Sequence, residues 1–222
     1  MTGTIAALTV KRLLRGRAVW IGVGIAALPL IFAVVARSRG GHVADLVILL
    51  ELLFAVLPPL FVASSIGDEI EDRTTTYLWS RPVPRWTILA GKLVALVPIV
   101  IALQVATAAA ALAIADSTAL TARACAAMAA GAAAASLISA GIATLVPKHG
   151  MALAICYVLL FDLPVGFLPA SLRQASITHN VRTLAGLDST LADAASTAAL
   201  AMAVVAGVWL ALALYRIRRL EA

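Results

Sequence analysis

Six apolar runs dominate the sequence, and each is long enough to cross a lipid bilayer. They span residues 18–36, 46–66, 93–115, 124–146, 151–170 and 194–215. At about 1.5 Å of rise per residue, helices of these lengths reach roughly 30 Å, the thickness of a hydrocarbon core. The runs lack the two-residue alternation of barrel strands. The pattern therefore predicts an all-α integral membrane protein with six transmembrane helices.

The composition leaves no room for a separate soluble domain. Of the 222 residues, 63% are hydrophobic and 13% are charged, and the mean hydropathy is +1.03. A soluble domain of this length needs more polar surface to cover its core. The net charge of +6 does not indicate a nucleic-acid-binding protein, because the basic residues cluster beside the apolar runs. We therefore expect residues 1–222 to form one transmembrane domain.

The basic residues predict the orientation of the chain. If the amino terminus is cytoplasmic, the segments on that side hold twelve Lys and Arg residues, and the opposite segments hold five. Because such residues favour the cytoplasmic side, we expect both termini in the cytoplasm and the chain in the cytoplasmic membrane. The stretch before residue 18 is interpreted either as a plain basic anchor or as an interfacial helix with Val10, Leu13 and Leu14 towards lipid.

A polar segment, residues 67–92, separates the second and third runs. Its acids precede its bases in the order Asp68, Glu69, Glu71, Asp72, Arg73, Arg81, Arg85 and Lys92. A connecting turn needs neither this order nor two prolines, so we expect the segment to lie in water and to dock a partner protein. The alternative is an interfacial turn in which Tyr77, Trp79 and Trp86 belong to an aromatic belt.

A short helix is predicted within this polar segment. Thr74 or Thr75 can cap its start, because a hydroxyl satisfies free backbone amides there. Arg81 precedes Pro82 and so leaves helical geometry, which ends the helix. Pro84 then suits the first turn of the next helix.

Two carboxylates lie within the apolar runs. Glu51 precedes Pro58 and Pro59 in the second run, and Asp162 precedes Pro164 in the fifth. A charge at this depth is costly unless it is paired, so each should face the bundle or water. We expect each to line a substrate path or couple to transport, or else to be a tolerated charge near the end of a span. The paired prolines are expected to kink or break the second helix.

Two further segments have predicted packing roles. The fourth run is rich in small residues, which predicts a tightly packed inner helix. Between the fifth and sixth runs, apolar residues recur at a helical period at Ile177, Val181, Leu184, Leu187 and Leu191. Gly186 indicates a helix end, and Asp188 a new cap. We expect two short amphipathic helices lying on, or dipping into, the outer leaflet.

Motifs for catalysis and metal binding are missing from the sequence. It has no glycine-rich phosphate loop, and His42, His149 and His179 stand alone without metal-ligand spacing. Cys125 and Cys156 lie within apolar runs. We therefore expect neither enzyme activity nor a metal or cofactor in this chain.

The run EIEDRTTTYLWSRPVPRWTILAGK combines several motifs in order. An acidic stretch and threonines precede a short hydrophobic segment, followed by Pro82-Val83-Pro84-Arg85 and then Gly91-Lys92. This order resembles the permeases of type-2 ATP-binding-cassette exporters, with Arg73 standing where that family usually has glycine. The six-span layout and the polar segment between the fifth and sixth runs agree with the resemblance.

The resemblance implies a permease that exports a substrate using a separate ATPase chain, which carries ATP and Mg²⁺. It implies a coupling helix between the second and third spans, and a unit of two permeases, identical or homologous, with two ATPases. The docking residues implied are Glu69, Glu71, Asp72, Thr75, Thr76, Tyr77, Leu78, Arg81, Pro82 and Arg85. The substrate class stays open among lipid, drug, peptide and sugar.

Two other functions remain open from the residues alone. A proton-coupled secondary transporter would use Glu51 and Asp162 as its titrating groups. A structural or assembly subunit would use the small-residue helices for packing alone.

Overall fold

The computed structural model describes residues 2–39, 43–71, 85–115, 118–168, 171–187 and 194–219, and these residues include no strand. Their α-helices are α1 (Thr2–Arg15), α2 (Arg17–Arg39), α3 (Val43–Pro58), α4 (Ser64–Glu71), α5 (Arg85–Ile114), α6 (Thr118–Leu145), α7 (Gly150–Cys156), α8 (Leu163–Phe167), α9 (Ile177–Ala185) and α10 (Ala194–Arg219). Two π-helical segments (Pro59–Ala63 and Tyr157–Asp162) and two 3-10 turns (Pro147–His149 and Ser171–Ala175) complete the described structure.

Six helical stretches are long and apolar enough to cross a membrane. They are Arg17–Ser38, Leu46–Gly67, Trp86–Ile114, Ala122–Leu145, Pro147–Phe167 and Ala195–Arg219, named below as the first to sixth spans. They confirm the prediction of six apolar helices, and they indicate a multi-pass membrane protein.

The second and fourth spans form the centre of the bundle. Burial within the protein reaches 72% for the second span and 67% for the fourth, against 22% to 39% for the others. The fourth span packs against the third, fifth and sixth spans and against α9. Small side chains permit these close approaches, so the prediction of a tightly packed inner helix is confirmed.

The two ends of the bundle are covered by different elements. We call the end with α1, α4 and the Pro147–His149 turn the near end, and the end with the Ser171–Ala175 turn and α9 the far end. At the near end α1 packs against α5, with Val10 and Leu13 half-buried against the core. Of the two interpretations of this stretch, the helix is present, and its Val10 and Leu13 side chains pack in part against the protein core.

The paired prolines leave the second span continuous. Helical structure runs from Val43 to Glu71, with the π-helical segment directly after Pro58. Prolines lack the amide hydrogen for the usual ladder, and the wider π turn accommodates the mismatch without ending the helix. Of the expected kink or break, the break does not occur, and a π-helical segment follows Pro58 instead.

Lys92 corrects one expectation about the polar segment. It lies inside the third span and is only 3% exposed, and its Nζ donates a hydrogen bond to the carbonyl oxygen of Ser65. The third span begins at Trp86 rather than at residue 93, because α5 continues through this position with Leu89 and Leu93 buried on either side. The prediction that Lys92 lies in water was wrong, since the second span offers its amine a carbonyl partner.

A close approach between the fourth and sixth spans at Gly141 gives a first testable prediction. A Cβ on Gly141 would lie 2.6 Å from Cε3 of Trp209 and 3.0 Å from its backbone oxygen. Gly141→Val should therefore lower the free energy of unfolding by about 1–3 kcal/mol, measured by thermal or denaturant unfolding in detergent. Gly207→Val is the matched control, because a Cβ there meets nothing within 4 Å. Equal losses in both variants would show that the close approach is not responsible.

Candidate functional site

Helix α9 lies inside the far end of the bundle and not on its surface. Seven of its nine residues are buried, namely Ile177, Thr178, His179, Asn180, Val181, Thr183 and Ala185. It packs against the fourth and sixth spans. Val181 fits against a glycine of the fourth span, since a Cβ on Gly131 would lie 2.5 Å from Val181 Cγ2. The first of the two predicted short helices therefore exists, but it is enclosed by protein.

A buried ion pair joins α9 to the second span. Arg182 Nε donates to Glu51 Oε1 at 2.8 Å and to Oε2 at 2.9 Å, while Arg182 Nη2 donates to Oε2 at 2.7 Å. The side chain of Glu51 is fully buried, and that of Arg182 is 12% exposed. The planar guanidinium matches both carboxylate oxygens, so the pair fixes the position of α9 as well as neutralising two charges.

The guanidinium of Arg182 has a second contact that orients it. Its Cζ lies 4.0 Å from the ring centroid of Phe167, at the end of the fifth span. This is a cation–π arrangement, which favours a cation already removed from water. One side chain of α9 therefore connects the second and fifth spans at the far end.

Asp162 binds the amino-terminal end of α9. Its Oδ1 accepts a hydrogen bond from the Ile177 amide at 2.7 Å, and its Oδ2 accepts one from the Thr178 amide at 3.1 Å. Ser176 Oγ accepts from the His179 amide at 3.2 Å as the helix cap. A carboxylate suits this position, because the first amides of a helix lack partners and carry partial positive charge.

The other end of α9 is held by a cation. Gly186 has φ +80°, a left-handed conformation that ends the helix as the sequence predicts. Arg123 Nε, from the start of the fourth span, donates to the Leu184 carbonyl at 2.7 Å. Asp162 and Arg123 thus place opposite charges at the two ends that complement the helix dipole. The second predicted helix, around Leu191, lies outside the described residues.

A buried amide ties a further span to the region beside Glu51. Gln104 Nε2, in the third span, donates to the Leu50 carbonyl at 2.8 Å. The same nitrogen lies 3.8 Å from Met128 Sδ of the fourth span. Gln104 Oε1 is buried and has no hydrogen-bond partner within the described part of the chain. The second, third and fourth spans are therefore connected through polar groups next to the ion pair.

These contacts define the far-end lock, which consists of Glu51, Arg123, Asp162 and Arg182 with the helix α9 that they hold. Within the described ranges, no cluster of three or more His, Cys, Asp or Glu residues could hold a metal ion. Both intramembrane carboxylates are instead bound through both of their oxygens. The arrangement positions α9 at the far end, and its chemistry is ion pairing and helix capping.

The residues implied in partner docking are described only at the edges of their segment. Glu69 and Glu71 lie in α4, which continues the second span, and Arg85 is the first residue of α5. The other docking residues implied by the resemblance fall outside the described residues: Asp72, Thr75, Thr76, Tyr77, Leu78, Arg81 and Pro82. The predicted coupling helix therefore stays a prediction.

Two partners in the far-end lock are not found by the sequence analysis. Arg182 and Arg123 count there only as basic residues on the outer side. A buried acid within a span is expected to pair with a cation. Arg182 lies among the periodic apolar residues of α9, so its position in the sequence could have indicated it as the partner of Glu51. Nothing comparable distinguishes Arg123, whose hydrogen bond to Leu184 depends on tertiary packing.

Comparisons with known proteins leave the family open. No family model matches the chain, and no characterised protein matches it significantly. The resemblance to exporter permeases therefore rests on the order of residues in the polar segment and on the six-span layout.

Proposed function

We propose that this chain is the membrane-spanning permease subunit of an ATP-binding-cassette exporter in the cytoplasmic membrane. Two permease copies, or one copy and a homologue, would assemble with two ATPase chains that bind ATP and Mg²⁺. The proposal is supported by six apolar helices and by the acid-then-base segment with its Pro82–Arg85 motif. The transported substrate belongs to the open classes of lipid, drug, peptide or sugar.

One observation carries the proposal most directly. The continuous helical stretch Val43–Glu71 holds Glu51 of the far-end lock near one end and leads into the proposed docking segment at the other. Glu51 and Glu71 are twenty residue steps apart in this helix, which is about 30 Å. A displacement imposed on the docking segment is thus carried by a single helix to the groups that hold α9. An ATPase-driven permease needs such a connection between its two ends.

The π-helical segment within this helix supports a mechanical role. Pro59–Ala63 lies between the far-end lock and the near end, and π-helical insertions occur frequently at functional sites. Four of its five residues are buried against neighbouring spans. A change in register at this segment would reposition Glu51 relative to α4 without unfolding the helix. In this proposal the structure corresponds to a closed far end.

The proton-coupled alternative has weaker support from the same contacts. Glu51 is bound by a guanidinium, and Asp162 is bound by two amides at a helix start. These partners occupy both oxygens of each carboxylate, at the positions where a proton would bind. Proton uptake at either position would require the far-end lock to open first. The structural-subunit alternative is supported by the close packing of the fourth span, which an exporter needs equally.

Purification in a gentle detergent tests the proposed function. The tagged full-length chain, expressed in its native host, should retain an ATPase subunit and hydrolyse ATP when reconstituted with it in vesicles. Substrate transport should then require ATP. Ion-driven uptake by the chain alone would support the secondary transporter, and a folded chain with neither partner nor transport would support the structural subunit.

The proposed orientation gives a separate prediction. Lys148 at the near end and Arg173 at the far end are both exposed. After Cys125 and Cys156 are replaced by alanine, single cysteines at residues 148 and 173 should label differently with an impermeant thiol reagent in intact cells. Residue 173 should react and residue 148 should react only after the cells are opened. The reverse pattern would place the termini outside the cell.

A further inference from the structure

A cavity opens at the near end, where α1, α2 and the second span meet. It has a volume of about 230 Å³, and its walls include Arg12 and Leu13 of α1, Arg17 of α2, and Phe61 and Ser65 of the second span. The chain bends between α1 and α2 at Gly16, whose amide donates to the Leu13 carbonyl at 2.9 Å. An arginine from each of two helices therefore lines the same cavity.

Several polar groups that line the cavity can donate hydrogen bonds. Arg12 and Arg17 are exposed, and within the described part of the chain neither forms an ion pair. Ser65 adds a hydroxyl, and the first turn of α2 adds backbone amides that a helix cannot satisfy internally. Two guanidinium groups with hydroxyl and amide donors suit the oxygens of a phosphate group.

The apolar surroundings distinguish a lipid phosphate from a soluble one. The half-buried Leu13 and the buried Phe61 also line the cavity. Immediately after Arg17, the first span presents Trp20, which is 77% exposed, and Ile21, which is 51% exposed. A phosphate in the cavity would therefore lie beside an apolar surface on which acyl chains can pack. A soluble phosphate compound without acyl chains would make no contact with that surface.

We propose that this cavity binds the headgroup phosphate of an anionic phospholipid. Arg12 and Arg17 donate to the phosphate oxygens, and the acyl chains lie along the first span beside Trp20. The bound lipid also contacts Phe61 in the π-helical segment of the second span. The site thus attaches α1 to the membrane and to the helix that leads to Glu71.

Lipid titration of the purified full-length chain in detergent tests this site. Phosphatidylglycerol should raise the thermal unfolding midpoint more than phosphatidylcholine does, in about 0.5 M salt, where attraction by distant surface charges is screened. Arg12→Gln with Arg17→Gln should weaken phosphatidylglycerol binding about tenfold or more, as counted by native mass spectrometry. Because both side chains are exposed, the variant should unfold at the wild-type temperature in phosphatidylcholine.

The control removes the same charge outside the cavity. Lys11→Gln with Arg218→Gln removes two exposed cations that are not among the residues lining the cavity, and this variant should keep wild-type lipid affinity. Equal loss in the two double variants would overturn the site in favour of diffuse attraction. Inorganic phosphate that stabilises the chain as well as phosphatidylglycerol would overturn the lipid assignment, as would the lack of any preference over phosphatidylcholine. If the first double variant is unstable, Arg12→Gln alone should still weaken binding severalfold, and unchanged binding would overturn the proposal.

Discussion

Glu51→Leu should lower the free energy of unfolding by about 3–5 kcal/mol, because it leaves the guanidinium of Arg182 buried without its carboxylate. Arg182→Met should lower the free energy of unfolding by a similar amount, because it leaves the carboxylate of Glu51 buried without its guanidinium. The measurement is the denaturant midpoint of the purified chain in mixed micelles. Arg173→Met is the matched control, since Arg173 is an exposed far-end arginine and should change stability by less than about 0.5 kcal/mol.

The double variant separates the interaction from the two side chains. Glu51→Leu combined with Arg182→Met removes both charges together, so neither is left uncompensated in the bundle. It should recover much of the lost stability and give an interaction energy of about 2–3 kcal/mol in the double-mutant cycle. Additive losses would mean that the ion pair does not hold α9. Wild-type stability and transport in Glu51→Leu would remove any role for the carboxylate.

The same double variant also distinguishes the proposed function from its proton-coupled rival. A chain without either charge has no titrating group at this position, so proton-driven uptake through Glu51 would cease. Under the proposed function, ATP-driven transport would persist in any double variant that folds, because the energy would be supplied on a partner chain. The ion pair then acts as a positional lock, which apolar side chains of similar size partly replace.

Local signals account for the features that the sequence predicts correctly. The six spans follow from runs of apolar residues, and each run carries its own information. The end of α9 follows from Gly186, because a left-handed residue is a local requirement. The inner position of the fourth span follows from its small residues, which allow neighbouring helices to approach.

Long-range partners account for the features that the sequence does not predict. Glu51 and Arg182 are separated by 131 positions, and the sequence offers several other outer arginines as partners. In the sequence, Lys92 belongs to a polar segment, and nothing there shows that the carbonyl of Ser65 lies beside its amine. The burial of α9 is not predicted for the same reason. Its polar residues suggest a side that faces solvent, because the sequence does not show that Asp162 binds its first amides.

The second large effect is expected in the docking segment. In the proposed exporter, Tyr77→Ala together with Leu78→Ala should remove the ATPase from this chain during purification, or abolish ATP hydrolysis linked to transport. The sequence predicts a short capped helix bounded by Pro82, with these two side chains as its apolar anchors. Losing such a buried anchor commonly costs about 2 kcal/mol or more, roughly thirtyfold in affinity. The permease itself should stay folded in the membrane.

A matched pair of substitutions controls for the loss of a tyrosine and a leucine. Tyr215 and Leu212 are exposed on the sixth span, towards its near end, at 55% and 40%. Tyr215→Ala together with Leu212→Ala should leave the ATPase bound and active. Equal loss of the ATPase in both pairs would indicate general destabilisation instead of docking.

Salt dependence separates the anchors of the docking segment from its charged rim. Glu71→Lys reverses a charge at the end of α4, where the second span leads into the segment. Rim charges act over distances that salt screens, so this variant should weaken ATPase binding more at low salt than at high salt. The loss caused by Tyr77→Ala and Leu78→Ala should instead persist at all salt concentrations, because it comes from buried apolar contact. If that double variant keeps its ATPase and full transport-linked hydrolysis, the segment is a connecting loop, and the second span has no partner to move it.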